Sequence, residues 1–332
     1  SYTITVRRAY GLSADNPIII TSCRDILYEM CQNENYPSGG YGFYFKLGDD
    51  VRINRYDIDN DAGDDFRVDR ANLNVLYPSS YPFRGHFDGD GHSIIWQNAE
   101  YDAVYYGLFK YTDGAEFSNL TMYYNDYATR NCAGTLIGNA KATTIRNCAV
   151  YSNLLASDRV GGIVDEASDG TVISNCMFVG EVSSKNIGGI VANATDTRIS
   201  NSISMLRKSP EGDVLETGGA IVLSAKNVTV DSCLVVGDNY YGRINVVSAS
   251  NESVSASNCY YDKQMWIPSD GDTINSIGVT TRELIENGLF NWSHSEGRYP
   301  LPAGTETLSP ATLVTTPMLI GADDDVMNVT EL

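Results

Sequence analysis

Paired carboxylates are the residues of this chain best suited to chemistry. Asp165, Glu166 and Asp169 follow one Gly-Gly phrase, and Asp196, Asp213 and Glu216 lie near the next two. Two carboxyls about 6.5 to 9.5 Å apart, one donating a proton and one activating water, hydrolyse a glycosidic bond with inversion. Asp165 or Glu166 facing Asp196 from the next turn of a repeat would make such a pair. The competing reading is a row of solvated acids on turns, where charged residues are the default. The motifs of the pectin-hydrolysing glycosidases do not map. No His follows an Asp-Asp pair within the repeats, and Arg243-Ile244-Asn245 ends in Asn.

Metal chemistry has one candidate. Asp57, Asp59, Asp61 and Asp65 lie in the densest acidic stretch, and its Asp-x-Asp-x-Asp start suits calcium. The glycine falls at loop position seven instead of six and Val68 stands at position twelve, so a regular EF-hand fails. A solvated insertion loop is the simpler reading, and no cofactor is otherwise expected. Asp88-Gly89-Asp90-Gly91 reads as a tight turn. The 3 histidines, at 86, 92 and 294, are too scattered for a zinc site, and no CxxC pair accompanies them.

Tyrosine offers a different chemistry. There are 22, and each carries a rigid apolar face with a polar tip. Tyr105, Tyr106, Tyr123 and Tyr124 form one concentration, and Tyr240 and Tyr241 belong to a second. Facing outward in one stripe they would bind a glycan or a protein surface; facing inward they would fill the core.

The elements that must position these residues are repeats. The phrase Phe117-Ser118-Asn119-Leu120 returns as Ile145-Arg146-Asn147-Cys148, Ile173-Ser174-Asn175-Cys176, Ile199-Ser200-Asn201-Ser202, Val230-Asp231-Ser232-Cys233 and Ala256-Ser257-Asn258-Cys259. Successive third positions are separated by 28, 28, 26, 31 and 26 residues. Half a period away come Gly134-Thr135-Leu136-Ile137, Gly161-Gly162-Ile163-Val164, Gly188-Gly189-Ile190-Val191 and Gly218-Gly219-Ala220-Ile221. Each period holds two or three short runs rich in Ile, Val, Leu and Thr between turn residues, with no room for a crossover helix or a four-stranded blade. The pattern predicts an all-β, right-handed parallel β-helix, of about eight coils between Tyr44 and Asn258.

Stacking gives the repeated residues their reasons. Asn147, Asn175, Asn201 and Asn258 are expected to align as a buried ladder of mutually bonded amides, with Ser232 interrupting the row. Cys148, Cys176, Cys233 and Cys259 would form an adjoining internal stack of small apolar side chains. The glycines are expected where positive φ or close backbone approach is required.

Both ends need covers. Residues 22–31 read as an amphipathic capping helix with Ser22 or Thr21 as N-cap. Thr280-Thr281-Arg282-Glu283 is a capping box that opens a second helix ending at Gly288, within a C-terminal capping segment of about 260–302. Residues 1–302 form one expected domain, and 303–332 read as a linker or the start of a further β unit.

A net charge of -19, with 23 Lys and Arg against 42 Asp and Glu, argues against a nucleic-acid partner. No apolar run is long enough to span a membrane as a helix. The chain opens without a signal peptide, so an export signal is expected to lie outside it.

Several segments together resemble the GLUG-motif β-helix proteins. They are Asn16-Pro17-Ile18-Ile19-Ile20, Tyr44 to Asp50, Phe83 to Ile94, Gly107-Leu108-Phe109, the Gly-Gly-Ile-Val and Ile-Ser-Asn-Cys repeats, and Asn258 to Gln264 with the closing Asn291-Trp292 and Tyr299-Pro300. Occurring in order over about residues 10–302, they imply a bacterial secreted or surface-anchored, adhesin-like protein. Such modules commonly lack catalysis, and some are appended to peptidases, but no HExxH motif is present here to carry that activity over. The expected protein is therefore a monomeric, extracellular or cell-surface, non-catalytic module binding a glycan or a partner protein. The alternative is a polysaccharide-degrading enzyme using Asp165, Glu166 and Asp196.

Overall fold

The computed structural model describes residues 11–26, 30, 42–54, 82–97, 107–124, 132–155, 158–208, 217–238, 244–250, 253–268, 274–286, 291–293 and 298–305. They form a parallel β-solenoid of about 6 turns. Its strands make a 12-stranded sheet (sheet I), a 10-stranded sheet (sheet II) and a 5-stranded sheet (sheet III). One turn shows the plan. Arg159–Gly161 belongs to sheet III, Val164–Ser168 and Val172–Ser174 to two limbs of sheet I, and Met177–Ser183 to sheet II. The chain then re-enters sheet III at Asn186–Gly188, one level on. In Val191–Ser200 and Val222–Asp231 the two limbs fuse into single ten-residue strands.

The count of turns falls below the eight expected. The first levels, Tyr44–Leu47 with Val51–Asn54 and His86–Asp88 with Ser93–Gln97, contribute described strands to only the second limb of sheet I and to sheet II.

Period-two alternation on the second limb builds the core. Phe45, Phe87, Phe117, Ile145, Ile173, Ile199 and Val230 stand in register, one per level, and all are buried. Phe83 and Phe109 wedge among the phenylalanines at centroid distances of 4.8 to 5.9 Å. Covering each such ring removes enough apolar surface to contribute about 2 to 3 kcal/mol.

The corners explain the two repeated phrases. Asn119, Asn147, Asn175, Asn201, Ser232 and Asn258 all have φ between 46° and 54°, the left-handed region that Asn tolerates best after Gly. Asn therefore turns the corner between sheets I and II, the role expected of glycine. The Gly-Gly phrase answers a different need. A Cβ on Gly161 would lie 1.9 Å from the Val164 carbonyl oxygen, and one on Gly189 would lie 1.9 Å from that of Ala220. Where sheet III passes into sheet I, backbone within a level and between levels approaches closer than any side chain allows.

The expected amide ladder is shorter and wetter than the sequence suggests. Asn147 donates to Asn119 and Asn175 donates to Asn147, each at 3.2 Å, and all three are half-buried. Asn201 is exposed, and Asn258 is exposed and donates to Asp231 instead. A left-handed turn on the outer corner cannot be buried as a core residue is. Beneath it, Cys148, Cys176, Ser202, Cys233 and Cys259 do stack inside, all buried, and each cysteine is a free thiol.

Sheet II is apolar on both faces, as a parallel sheet covered on both sides must be. Its outer face carries Ala149, Tyr151, Met177, Ile203, Met205, Leu234 and Val236, packed with Leu284, Trp292 and Tyr299. The chain after the strand Ile277–Val279 thus lies along the flank of the solenoid, and Gly304 reaches the Asn147 side chain. The capping box forms: Thr280 N donates to Glu283 Oε2 at 2.7 Å, and Glu283 N donates to Thr280 Oγ1 at 3.1 Å. Gly288 lies outside the described residues.

At the other end the described helix is Cys23–Asp25, capped by Ser22. Ile26 and Met30 join the main core, while Leu27 to Glu29 and Cys31 are outside the described residues. Among the described residues no helix is long and apolar enough to cross a membrane.

Candidate functional site

The alternation that sends Phe45, Phe87, Phe117 and Ile145 inward sends their neighbours outward. Tyr44, His86, Glu116 and Thr144 form one column on the outer face of sheet I, and Lys46, Asp88, Ser118 and Arg146 form the next. Seven of these eight residues, all but Thr144, border an open groove together with Ala14, Pro17, Phe45 and Phe87. Its positions are fixed by ladder-paired strands, so its side chains project from a rigid base.

Most charges in the groove are paired with one another. Tyr44 and His86 stack at 4.1 Å with an interplanar angle of 5°, and His86 Nδ1 lies 3.1 Å from Glu116 Oε2. Lys46 Nζ meets Asp90 Oδ2 at 2.8 Å, a bond that holds the lysine above its usual value. Asp88 Oδ1 accepts from Asn119 Nδ2 at 2.9 Å and from the Asp90 amide at 3.0 Å. Arg146 is exposed, and among the described residues its guanidinium has no hydrogen-bond or ion-pair partner. The groove therefore offers hydroxyls, ring edges, carboxylate oxygens and one unengaged cation.

The carboxylates singled out from sequence are placed differently. Asp165 is 1% exposed and gripped by Arg159, with Nε to Oδ1 at 2.7 Å and Nη2 to Oδ2 at 3.0 Å. The same Nη2 reaches Glu166 Oε1 at 2.6 Å, and Asn139 Nδ2 donates to Glu166 Oε2 at 2.8 Å. Burial pushes the Asp165 carboxyl up against the pull of Arg159. Asp196 sits apart, at a left-handed corner with φ 48°, accepting from Asn227 Nδ2 at 2.5 Å. The register pairs Val164 with Val191 and Glu166 with Asn193, which sets Asp165 level with Ala192, four residues before Asp196. At about 3.3 Å per residue that is about 13 Å of strand. The structure brings Asp165 and Glu166 together on one arginine and leaves Asp196 at the next corner. Asp169 is an exposed corner residue 3.4 Å from Lys141 Nζ, and Asp213 and Glu216 lie outside the described residues.

Of the tyrosines, Tyr124 is inside, 6% exposed and edge-on to Trp96 at 6.0 Å. Tyr123 is half-buried and stacks on Tyr151 at 5.0 Å; burial, then the charge of Asp50, push its hydroxyl up. Tyr105, Tyr106, Tyr240 and Tyr241 lie outside the described residues, as do Asp57, Asp59, Asp61 and Asp65. Among the described residues no three His, Cys, Asp or Glu gather where they could hold a metal ion.

Sequence reasoning missed Tyr44, His86, Glu116 and Arg146 as a group, although a signal was present. Tyr-Phe-Lys, His-Phe-Asp, Glu-Phe-Ser and Thr-Ile-Arg are four triplets with an inward residue at the centre. Aligning them through that centre puts their flanking residues on one outer face.

No family model matches the chain, and no curated protein does. Solved structures do. One, described as a putative immunoglobulin A1 protease from Bacteroides ovatus, is similar over 90% of this chain and 95% of its own, with a TM-score of 0.59 and 17% identity. Another, described as an IgA1 protease, is 17% identical with a TM-score of 0.45, and the match covers 78% of this chain and 20% of that one. Identity at this level carries the fold alone.

Proposed function

We propose that this chain is a non-catalytic binding module, displayed outside a bacterial cell and adhesin-like in the manner of the GLUG-motif proteins it resembles. It takes a glycan in the groove between Tyr44 and Arg146. The supporting observation is the lining of that groove. It is held by paired strands, it mixes polar side chains with Ala14, Pro17 and aromatic rings, and its ionisable groups other than Arg146 are engaged with neighbours, with no carboxylate set aside beside a reacting position.

Hydrolysis is the second reading. The raised Asp165 carboxyl is what a general acid needs, and a solved structure of similar fold is described as a putative immunoglobulin A1 protease. Yet both Asp165 oxygens are occupied by Arg159, the arrangement of a lock between sheets III and I. His86 and Glu116 form a base with an orienting acid, but among the described residues no hydroxyl or thiol is bonded to the imidazole.

The test is a glycan array run beside a polysaccharide-depolymerisation screen on the same preparation. Saccharide binding without sugar release supports the reading; release of sugar overturns it.

A further inference from the structure

The charge left over in the groove indicates its ligand. Lys46 is neutralised by Asp90, His86 faces Glu116, and Asp88 is held by Asn119. Only Arg146 among these charges has no partner among the described residues. It is not a stray surface cation: its strand neighbours Ser118 and Ser174 are hydroxyls, and it borders the same groove as Glu116 and His86. A guanidinium in this setting receives a carboxylate through two parallel N–H bonds, while the exposed Glu116 suits sugar hydroxyls.

Resting on the glycan-binding reading above, we infer that the groove recognises a carboxylated sugar, with Arg146 taking the carboxylate. One feature favours a sugar acid over an acidic peptide. The strands lining the groove are hydrogen-bonded on both sides, so no free edge is offered for a peptide to extend. The overall charge of -19 sets a further limit. It repels densely charged polyanions, so the ligand carries an isolated carboxylate, as a chain-terminal sialic acid or a single hexuronic acid does.

The experiment measures binding of oligosaccharides ending in sialic acid or in hexuronic acid, each beside its carboxyl-reduced form, with an Asp- and Glu-rich peptide as a further arm. The proteins are the intact chain, Arg146→Ala, Arg146→Lys and, as a control on the same face two levels away, Arg198→Ala. Arg146 is exposed, so its variants are expected to fold, and unfolding midpoints verify this. The inference predicts that one acid class binds and that carboxyl reduction or Arg146→Ala weakens it about ten- to a hundredfold. Arg146→Lys should recover part of the loss, and Arg198→Ala should change nothing. Equal binding of acid and reduced forms overturns this inference and leaves glycan binding standing. Arg146-dependent capture of the peptide alone, or no saccharide bound at all, overturns both.

Discussion

Asn147 donates its side-chain amide to Asn119 Oδ1 at 3.2 Å, and both residues hold a backbone φ of 53°. One residue type thereby meets two demands, a left-handed corner and a bond between successive levels. Glycine would satisfy only the first, and alanine neither.

That division is measurable. Asn147→Gly keeps the corner and loses the amides shared with Asn119 and Asn175, at a cost of about 1 kcal/mol. Asn147→Ala also places a Cβ in the left-handed region and should cost about 2 to 3 kcal/mol. Denaturant unfolding of the two variants checks the order; equal losses would mean that the amides alone matter.

The glycines of the Gly-Gly phrase make the opposite prediction, because space and not φ constrains them. In Gly161→Ala the new Cβ would meet the Val164 carbonyl oxygen at 1.9 Å and the Ala192 nitrogen at 2.6 Å. Backbone of two neighbouring levels would have to move, and a loss of about 3 kcal/mol or more is expected. Gly170 has φ +85° but open space around it, so Gly170→Ala should cost only about 1 kcal/mol. Thermal unfolding of the pair separates crowding from conformational strain.

These cases mark how far the sequence can be read. The 26- to 31-residue beat is a one-dimensional record of a stacked fold, so the solenoid and the internal cysteine row were legible. Which residue met which corner requirement was not, since Asn and Gly are both turn residues and only the three-dimensional approach of sheets III and I separates them. Burial of the tyrosines was not legible for a related reason. Tyr123 and Tyr151 do stand one above the other in register, as an outward stripe would, but the chain around Trp292 and Tyr299 lies over their face of sheet II. The candidate groove went unread because its members are 28 to 42 residues apart and only register aligns them.

Asp262 ties that covering segment down. Its Oδ2 accepts from Thr281 Oγ1 at 2.6 Å and Tyr299 Oη at 2.7 Å, and its Oδ1 accepts from the Gln264 amide at 2.9 Å, in a site with 0% exposure. Asn in its place would set an NH₂ group against donors and should destabilise by about 1 to 3 kcal/mol. Burial raises the folded-state pKa above the ordinary 3.8, so the native protein binds this proton more tightly than the unfolded chain. The resulting stability is fully present below pH 3.8 and is lost as pH rises through the raised value. The stability gap between wild type and Asp262→Asn should therefore be wider near pH 4 than at pH 7. A gap that widens toward neutral pH would contradict this assignment.

Binding without turnover is the central claim, and one paired measurement tests it most directly. Titration of a saccharide hit with the intact chain, Glu116→Gln and Asp165→Asn, with product analysis of the same samples, sets the groove against the buried carboxylate. The account predicts no sugar release from any protein, affinity reduced about tenfold by Glu116→Gln, and affinity unchanged by Asp165→Asn wherever that variant remains folded. Sugar released by the intact chain and abolished by Asp165→Asn would contradict it.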